Sequence, residues 1–279
     1  TPQPVMDPKG IIYVHLAGRP SAAGYTEAVK KANDTLAQAA LQLNFCQGQL
    51  KSRRGPFPMI NVGMSSRNGN SVCPHQGLIH PGMERLTEPS AAAYVASVQG
   101  SGAFKDFAPD LHQLYREKMD LLKERDRELM TPFQNLVFAC VAFNFGPRVV
   151  AIPHRDHINL AYSWCSITAL GEFNHEAGGH MVLLDIKLAI EFPVGSTILI
   201  PSVAFTHYNL PIGWDETRRS MTQFSAGRLF RWIAYGCQEK GMAVAGSCGG
   251  TRWWEKGKGL YPVWKKKGEE GTGAELENQ

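Results

Sequence analysis

Five residues between positions 154 and 220 have the types and the order of a metal centre with an anion anchor beside it: His154, Asp156, His207, Arg218 and Ser220. His154 and Asp156 are two apart in an extended segment, so both side chains point to one face and can share one metal. His207 comes just after TILIPSVAFT, a buried strand and turn whose far end can return to the first strand in a sandwich. Two imidazoles and a carboxylate on one face of a metal leave other positions open, the arrangement used with non-haem Fe(II). In Thr217-Arg218-Arg219-Ser220, strand alternation puts Arg218, Ser220, Thr222 and Phe224 on one face and Arg219, Met221 and Gln223 on the other. An inward guanidinium next to a hydroxyl suits a small dicarboxylate, because arginine pairs with carboxylates in a fixed two-pronged geometry. Singly these residues have plainer uses: His154 as a surface histidine, His207 as a strand cap, Arg218 as a partner of Asp215 or Glu216. The joint order of HxD, GSTxLxPSxxxxH and RxS points to a metal site.

The elements that must hold these residues follow from hydrophobic spacing. After Pro132 short apolar segments alternate with turns. Leu136 to Phe143, Ala161 to Ala169, Met181 to Leu184, Leu188 to Phe192, Thr197 to Ile200, Ser220 to Phe224 and Phe230 to Tyr235 read as strands, close to a jelly roll. Ahead of them, Gly10 to Leu16 reads as a strand. Ser21 to Leu43 reads as a helix with Tyr25, Val29, Ala32, Leu36, Ala39 and Leu43 on one face. Pro89 to Val98 and Asp110 to Met130 read as further helices, the latter closed by Pro132. The expected fold class is α+β, a jelly-roll, cupin-like core buttressed by amino-terminal helices in one catalytic domain. Its parts are a helical, loop-rich stretch over 1–131, the β core over 132–236, a basic aromatic segment over 237–267 and a disordered tail over 268–279.

Composition sets outer bounds. The 279 residues are 43% hydrophobic and 19% charged, which is globular, and 28 glycines suit a turn-rich β protein. A net charge of +4 allows a nucleic-acid partner without demanding one. Six cysteines without a CxxC pair suit reduced, buried thiols and an intracellular protein. Cys73 with His75 and His80, or Cys237 with Cys248, lack a diagnostic zinc spacing. The longest apolar stretch, Leu136 to Phe145, is short of a membrane span, so a soluble protein without a membrane partner is expected. Lys51, Arg53, Arg54 and Arg67 punctuate a long Gly/Ser/Asn/Pro-rich loop, which makes Arg53 and Arg54 candidates for phosphate contacts. Trp253, Trp254, Tyr261 and Trp264 among lysines and arginines suit packing on the core or stacking near phosphates.

The stretches PHRDHINLAYSWCSITALGEF, GGHMVLLDIKLAIEFPVGSTILIPS, THYN and ETRRSMTQFSAGRLFRW resemble the fungal branch of the TET/JBP dioxygenases, strongly over 136–236 and more loosely before it. The resemblance implies a double-stranded β-helix enzyme that binds Fe(II) through His154, Asp156 and His207. It also implies 2-oxoglutarate and O2 as cosubstrates, with Arg218 on the distal carboxylate and Ser220 assisting. Asn159 matches the family's HxDxxN position, which contacts the target base, and Phe224 matches the aromatic that stacks on it. The family has a histidine two residues beyond that aromatic; this sequence has Ala226. The implied partner is methylated DNA, as duplex with the base flipped out, acted on by a monomer in the nucleus.

Two further candidates come from the residues alone. Gly178 and Gly179 would let backbone approach a ligand closely, and Asp185 shares parity with Met181 and Leu183, so it would point inward as an acceptor for an exocyclic amine. A hairpin turn over Leu184-Asp185-Ile186-Lys187 is the alternative. With Asp185 inward, N6-methyladenine joins 5-methylcytosine as a substrate: the first would be demethylated, the second oxidised to hydroxymethyl-, formyl- and carboxylcytosine. The competing functions are a 2-oxoglutarate-dependent hydroxylase of protein or small molecules, and a non-enzymatic cupin-like binding domain.

Overall fold

A computed structural model describes residues 2–67, 71–74, 90–96, 101–125, 129, 131–133, 136–234, 257 and 259–263. Of the zinc candidates, Cys73 is described only in its backbone, and His75, His80, Cys237 and Cys248 lie outside the described residues, as do Arg67's side chain, Trp253, Trp254, Trp264 and the tail. The chain runs β1 (Gln3–Met6), β2 (Ile12–Gly18), α1 (Tyr25–Gln42), α2 (Gln47–Leu50), β3 (Met59–Arg67), β4 (Ser71–Pro74), α3 (Ala91–Val95), α4 (Ala103–Phe107) and α5 (Pro109–Arg125). The core follows with β5 (Cys140–Asn144), β6 (Cys165–Glu172), β7 (Met181–Leu183), β8 (Leu188–Ile190), β9 (Thr197–Ile200), β10 (His207–Asn209), β11 (Thr217–Phe224) and α6 (Gly227–Ala234). Two antiparallel sheets face each other: an eight-stranded one in the order β1-β2-β9-β6-β11-β5-β3-β4 and a three-stranded one in the order β10-β7-β8. This is a double-stranded β-helix, in which the large sheet takes in strands from ahead of residue 132 as well as after it.

The large sheet is covered on both faces, which explains why β5 is buried along its whole length and β6 as far as Gly171. On β5, Val141 and Phe143 point out to a layer formed by Tyr25, Val29, Ala32, Leu36 and Ala39 of α1 together with Ala92 and Val95 of α3. Cys140 and Ala142 point in, toward Met181 and Leu183 of the small sheet. The same alternation governs β11. Arg219 faces the helices, where its Nη1 donates to Asn33 Oδ1 at 3.0 Å, and Gln223 Nε2 donates to the Ala96 carbonyl at 3.2 Å. Arg218, Ser220 and Thr222 face the space between the sheets. Gly171, opposite Arg218 in the pairing of β6 with β11, sits at φ 120; a Cβ there would lie 2.2 Å from the Thr217 carbonyl.

One expected strand is a helix. Phe230 to Tyr235 reads as an apolar strand, but Leu229, Phe230 and Ile233 fall on one helical face of α6, packed on the core, with Arg228 and Arg231 exposed on the other. The long loop after residue 48 holds α2, β3 and β4, and β3 pairs with β5 from Met59↔Asn144 to Gly63↔Cys140. Tyr261 is buried against Trp164, with ring centroids 6.0 Å apart, so this part of the carboxyl-terminal segment packs onto the core.

His15 on β2 is buried, stacked on Phe107 with centroids 3.5 Å apart, and neither ring nitrogen has a hydrogen-bond partner among the described residues. Burial lowers its pKa from 6.5 to about 4. The folded state therefore favours the neutral ring, while the unfolded chain takes up a proton below pH 6.5. This contribution to stability is intact above pH 6.5 and is lost progressively as pH falls toward 4. The difference in melting temperature between wild type and His15→Phe is expected to shift in favour of the variant across that window. A difference independent of pH would refute the assignment.

Candidate metal centre and anion pocket

The centre is assembled by one pair of backbone hydrogen bonds. The His154 N–H donates to the His207 carbonyl at 3.1 Å, and the His207 N–H donates to the His154 carbonyl at 2.9 Å, joining the segment before β6 to the start of β10. Asp156 is fixed in turn by its N–H on the Ser202 carbonyl at 2.9 Å. One donor atom each from His154, Asp156 and His207 lies within 4.8 Å of the others. Both imidazoles use Nδ1 on a carbonyl two residues earlier, Ile152 at 2.8 Å and Phe205 at 3.0 Å, which leaves Nε2 to face Asp156. His154 Nε2 is 3.9 Å from Asp156 Oδ1, and His207 Nε2 is 3.9 Å from Oδ2.

The protonation states suit a cation. Burial, reinforced by the neighbouring His207, lowers the His154 pKa to about 4, and burial also lowers that of His207. Both rings are neutral near pH 7, the form that binds metals. Burial alone would raise the Asp156 pKa, but Arg54 and the two imidazoles outweigh it and hold the carboxyl below its usual range. Two neutral imidazoles and one carboxylate fit a divalent transition metal.

Arg218 stands in the same pocket. It is fully buried on β11, and burial lowers its pKa to about 10, so it carries its charge near pH 7. Among the described residues its guanidinium makes one hydrogen bond, a long one from Nη1 to the Val149 carbonyl at 3.4 Å, Nε has no partner, and no carboxylate forms an ion pair with it. Glu216, a plausible partner in sequence, is occupied by the N–H groups of Asn174 and Gly213. The guanidinium lies about equally far from the rings of Phe173 and Phe192, at 5.9 and 6.0 Å. A buried charge with spare donors is costly without an anion, so a carboxylate fits here. Ser220, one strand repeat on, also lines the pocket and accepts from Asn144 Nδ2 at 2.9 Å.

The other candidates from sequence fall elsewhere. Asn159 pairs in backbone with Ala226 and donates to Ser202 Oγ at 3.0 Å, buried behind the metal ligands. Phe224 is buried in the core between the sheets rather than lining the pocket; its backbone has the expected parity, but β11 has by then run into the packed end of the sandwich. Asp185 does not point inward. The strand ends at Leu183 and a 3-10 turn over Leu184–Ile186 swings the carboxylate out to Arg155 at 2.6 Å and the Thr206 N–H at 2.5 Å, as in the turn alternative. At Gly178 and Gly179 the close neighbours belong to the chain itself: an added Cβ would lie 2.4 Å from the Pro211 carbonyl or 2.6 Å from the Phe173 ring. Arg53 is exposed. Arg54 turns into the pocket, where Nη2 meets Asp156 Oδ1 at 2.5 Å.

Several pocket residues escape the sequence patterns. Phe57, Tyr208 and Asn144 line it, and Asn209 ties its wall together by accepting from the Ala151 N–H at 2.9 Å and donating to the Val149 carbonyl at 3.0 Å. Asn209 carries one sequence signal, its position two residues after His207 on the same strand face.

No protein-family model matches the sequence, and no curated protein matches it. Solved structures do. NgTET1 in complex with 5mC DNA superposes with a TM-score of 0.54 at 14% identity, over 81% of this chain and 76% of that one. A Pseudomonas putida prolyl-4-hydroxylase gives a TM-score of 0.41 at 15% identity over 76% and 91%, and OsALKBH1 gives 0.41 at 10% identity over 80% and 100%. The chain shares the double-stranded β-helix fold of NgTET1, and that fold brings His154, Asp156 and His207 together as a cluster that could hold a metal ion.

Titration calorimetry with Mn(II) checks the centre. His207→Ala is expected to lose at least about 100-fold in affinity, as loss of one of three ligands should, while the far-UV circular dichroism stays unchanged. Unaltered affinity would remove His207 from the ligand set.

Proposed function

We propose that the protein is an Fe(II)- and 2-oxoglutarate-dependent dioxygenase that oxidises methyl groups on DNA bases. The observation that carries the oxygenase reading is the meeting, in one pocket, of the His154-Asp156-His207 cluster and the buried Arg218, which has no anionic partner among the described residues. The likeness to a TET enzyme bound to 5mC DNA supports the DNA substrate.

His154, Asp156 and His207 would hold Fe(II), which with bound 2-oxoglutarate activates O2 and oxidises a methyl group. Arg218 would take the distal carboxylate in a charge-assisted pair, with Ser220 adding a hydroxyl that Asn144 orients. Phe57, Val149, Ile167 and Met181 line the pocket and exclude water from it. A base in a duplex cannot reach so enclosed a centre, so it must be flipped out. Since Phe224 is packed into the core, Tyr208 and Phe57 are the aromatic groups available beside the metal ligands. Arg53 is free at the surface for a phosphate. The substrate would be methylated duplex DNA bearing 5-methylcytosine, since Asp185, the residue that favoured N6-methyladenine, is turned out to Arg155, and the protein would be a nuclear monomer.

Duplexes with 5-methylcytosine, incubated with Fe(II), 2-oxoglutarate and O2, are expected to yield oxidised cytosines on nucleoside mass spectrometry, with matched N6-methyladenine duplexes run beside them. His154→Ala should give none. Succinate formation without any change in either base would sink the DNA reading and leave the oxygenase standing. Arg218→Met is expected to weaken 2-oxoglutarate binding about 100-fold, the loss of a strong charge-assisted pair, with Mn(II) affinity kept within about threefold.

A further inference from the structure

Arg54 is the second guanidinium of the pocket, and it is delivered there by a tight turn. The Ser52 and Gly55 backbones exchange hydrogen bonds at 3.1 Å each, the Ser52 hydroxyl accepts from the Arg54 N–H at 3.1 Å, and the Ile152 N–H fastens the turn by donating to the Arg54 carbonyl at 2.8 Å. Ile152 is also the residue whose carbonyl orients His154. The turn and the first metal ligand are therefore anchored to the same short segment. From it Arg54 reaches Asp156 Oδ1 at 2.5 Å, with its other terminal nitrogen 3.5 Å from Met59 Sδ.

The two oxygens of Asp156 are not equivalent as a result. Each oxygen lies 3.9 Å from one imidazole Nε2, Oδ1 from His154 and Oδ2 from His207, but only Oδ1 has a guanidinium on it, and Oδ2 has no hydrogen bond to any described residue. Asp156 is buried, so solvent does not scramble the two. We propose that Arg54 is a positioning residue that reserves Oδ1, so that Asp156 binds the metal through Oδ2 alone. A carboxylate chelating through both oxygens would fill a coordination position that a bidentate 2-oxo acid and O2 together require. Arg54 keeps that position open. It acts on the ligand and not on the substrate, which distinguishes it from the phosphate contact that its place in a basic loop suggests.

The inference rests on the reading of His154, Asp156 and His207 as metal ligands but not on the identity of the substrate, so it is tested on the full chain with Mn(II) alone. Broadening of the Mn(II) electron paramagnetic resonance lines in ¹⁷O-water counts exchangeable water. The wild type is expected to hold about three waters, six positions less three protein ligands. Arg54→Met, which keeps the packed stem and removes the guanidinium, is expected to hold about two, with Mn(II) affinity equal or up to about fivefold tighter. Arg54→Lys, able to cap the same oxygen, should restore the third. If Arg54→Met does not fold, Arg54→Ala carries the same expectation. A variant without the guanidinium that keeps the wild-type water count overturns the proposal. So does a loss of Mn(II) affinity of tenfold or more, which would make Arg54 a support for the ligand and not a restraint on it. Failure of the wild type to bind Mn(II) would instead remove the metal site itself.

Discussion

Everything at the centre depends on two backbone hydrogen bonds, the reciprocal pair between His154 and His207. They close the small sheet against a segment with no regular strand of its own, and they set the two imidazoles side by side with centroids 4.3 Å apart. Each ring is then locked by its own Nδ1 on a nearby carbonyl, so the orientation of the metal-facing nitrogens follows from backbone geometry alone. The link also places Thr206 and Arg155, the flanking residues, where Asp185 bridges them. An exposed ion pair of that kind adds little stability by itself; here it tethers the turn after β7 to both segments that carry the candidate ligands.

Strand β11 is the second constraint. It lies between β5 and β6 and is buried on both faces, so neighbouring residues meet unlike surroundings. Arg219 donates Nη1 to Asn33 Oδ1 of α1, whereas Arg218 points between the sheets with a single long bond to the Val149 carbonyl among the described residues. One residue of register slip would exchange them. The pairing on both sides, Ser220↔Asn144 and Ser220↔Ala169, together with the close approach that Gly171 permits, fixes the strand against that slip. The helical layer thus has a part in the chemistry: by accepting Arg219 it settles which arginine enters the pocket.

What was legible in the sequence was local or periodic. The two-residue spacing of His154 and Asp156, the alternation along β11 and the apolar face of α1 all survive folding because each follows from backbone period alone. The core strands over 165–200 appear within a few residues of their expected bounds. What was illegible depends on where an element stops. Asp185 has inward parity only while the strand continues, and it ends at Leu183. Phe224 has inward parity too, but at the packed end of β11 inward means core. Gly179 marks a close approach whose partner is the Phe173 ring six places earlier, a contact within the chain that no local pattern separates from a ligand contact. Arg54 stands 102 residues from Asp156, and no spacing rule joins a loop arginine to a metal ligand across that distance. Helix α6 resembles a strand only while its apolar run is taken from Phe230; with Leu229 included, Leu229, Phe230 and Ile233 have helical spacing.

The charges of the pocket argue for two guests bound together. Arg54 and Arg218 contribute two positive charges and Asp156 one negative, while both imidazoles are neutral. The protein alone therefore holds one positive charge in excess. A dianion by itself would leave one negative charge, and a divalent cation by itself would leave three positive charges in a buried space. With both present the excess returns to one. Buried charges interact strongly because little water screens them, so the cation raises the affinity for the dianion, and by thermodynamic reciprocity the dianion raises the affinity for the cation. The same reasoning explains why Arg54 can sit beside a metal ligand at tolerable cost. Its repulsion from the cation is offset by its hold on Asp156 and, once the dianion is bound, by a second negative neighbour within the same enclosed space.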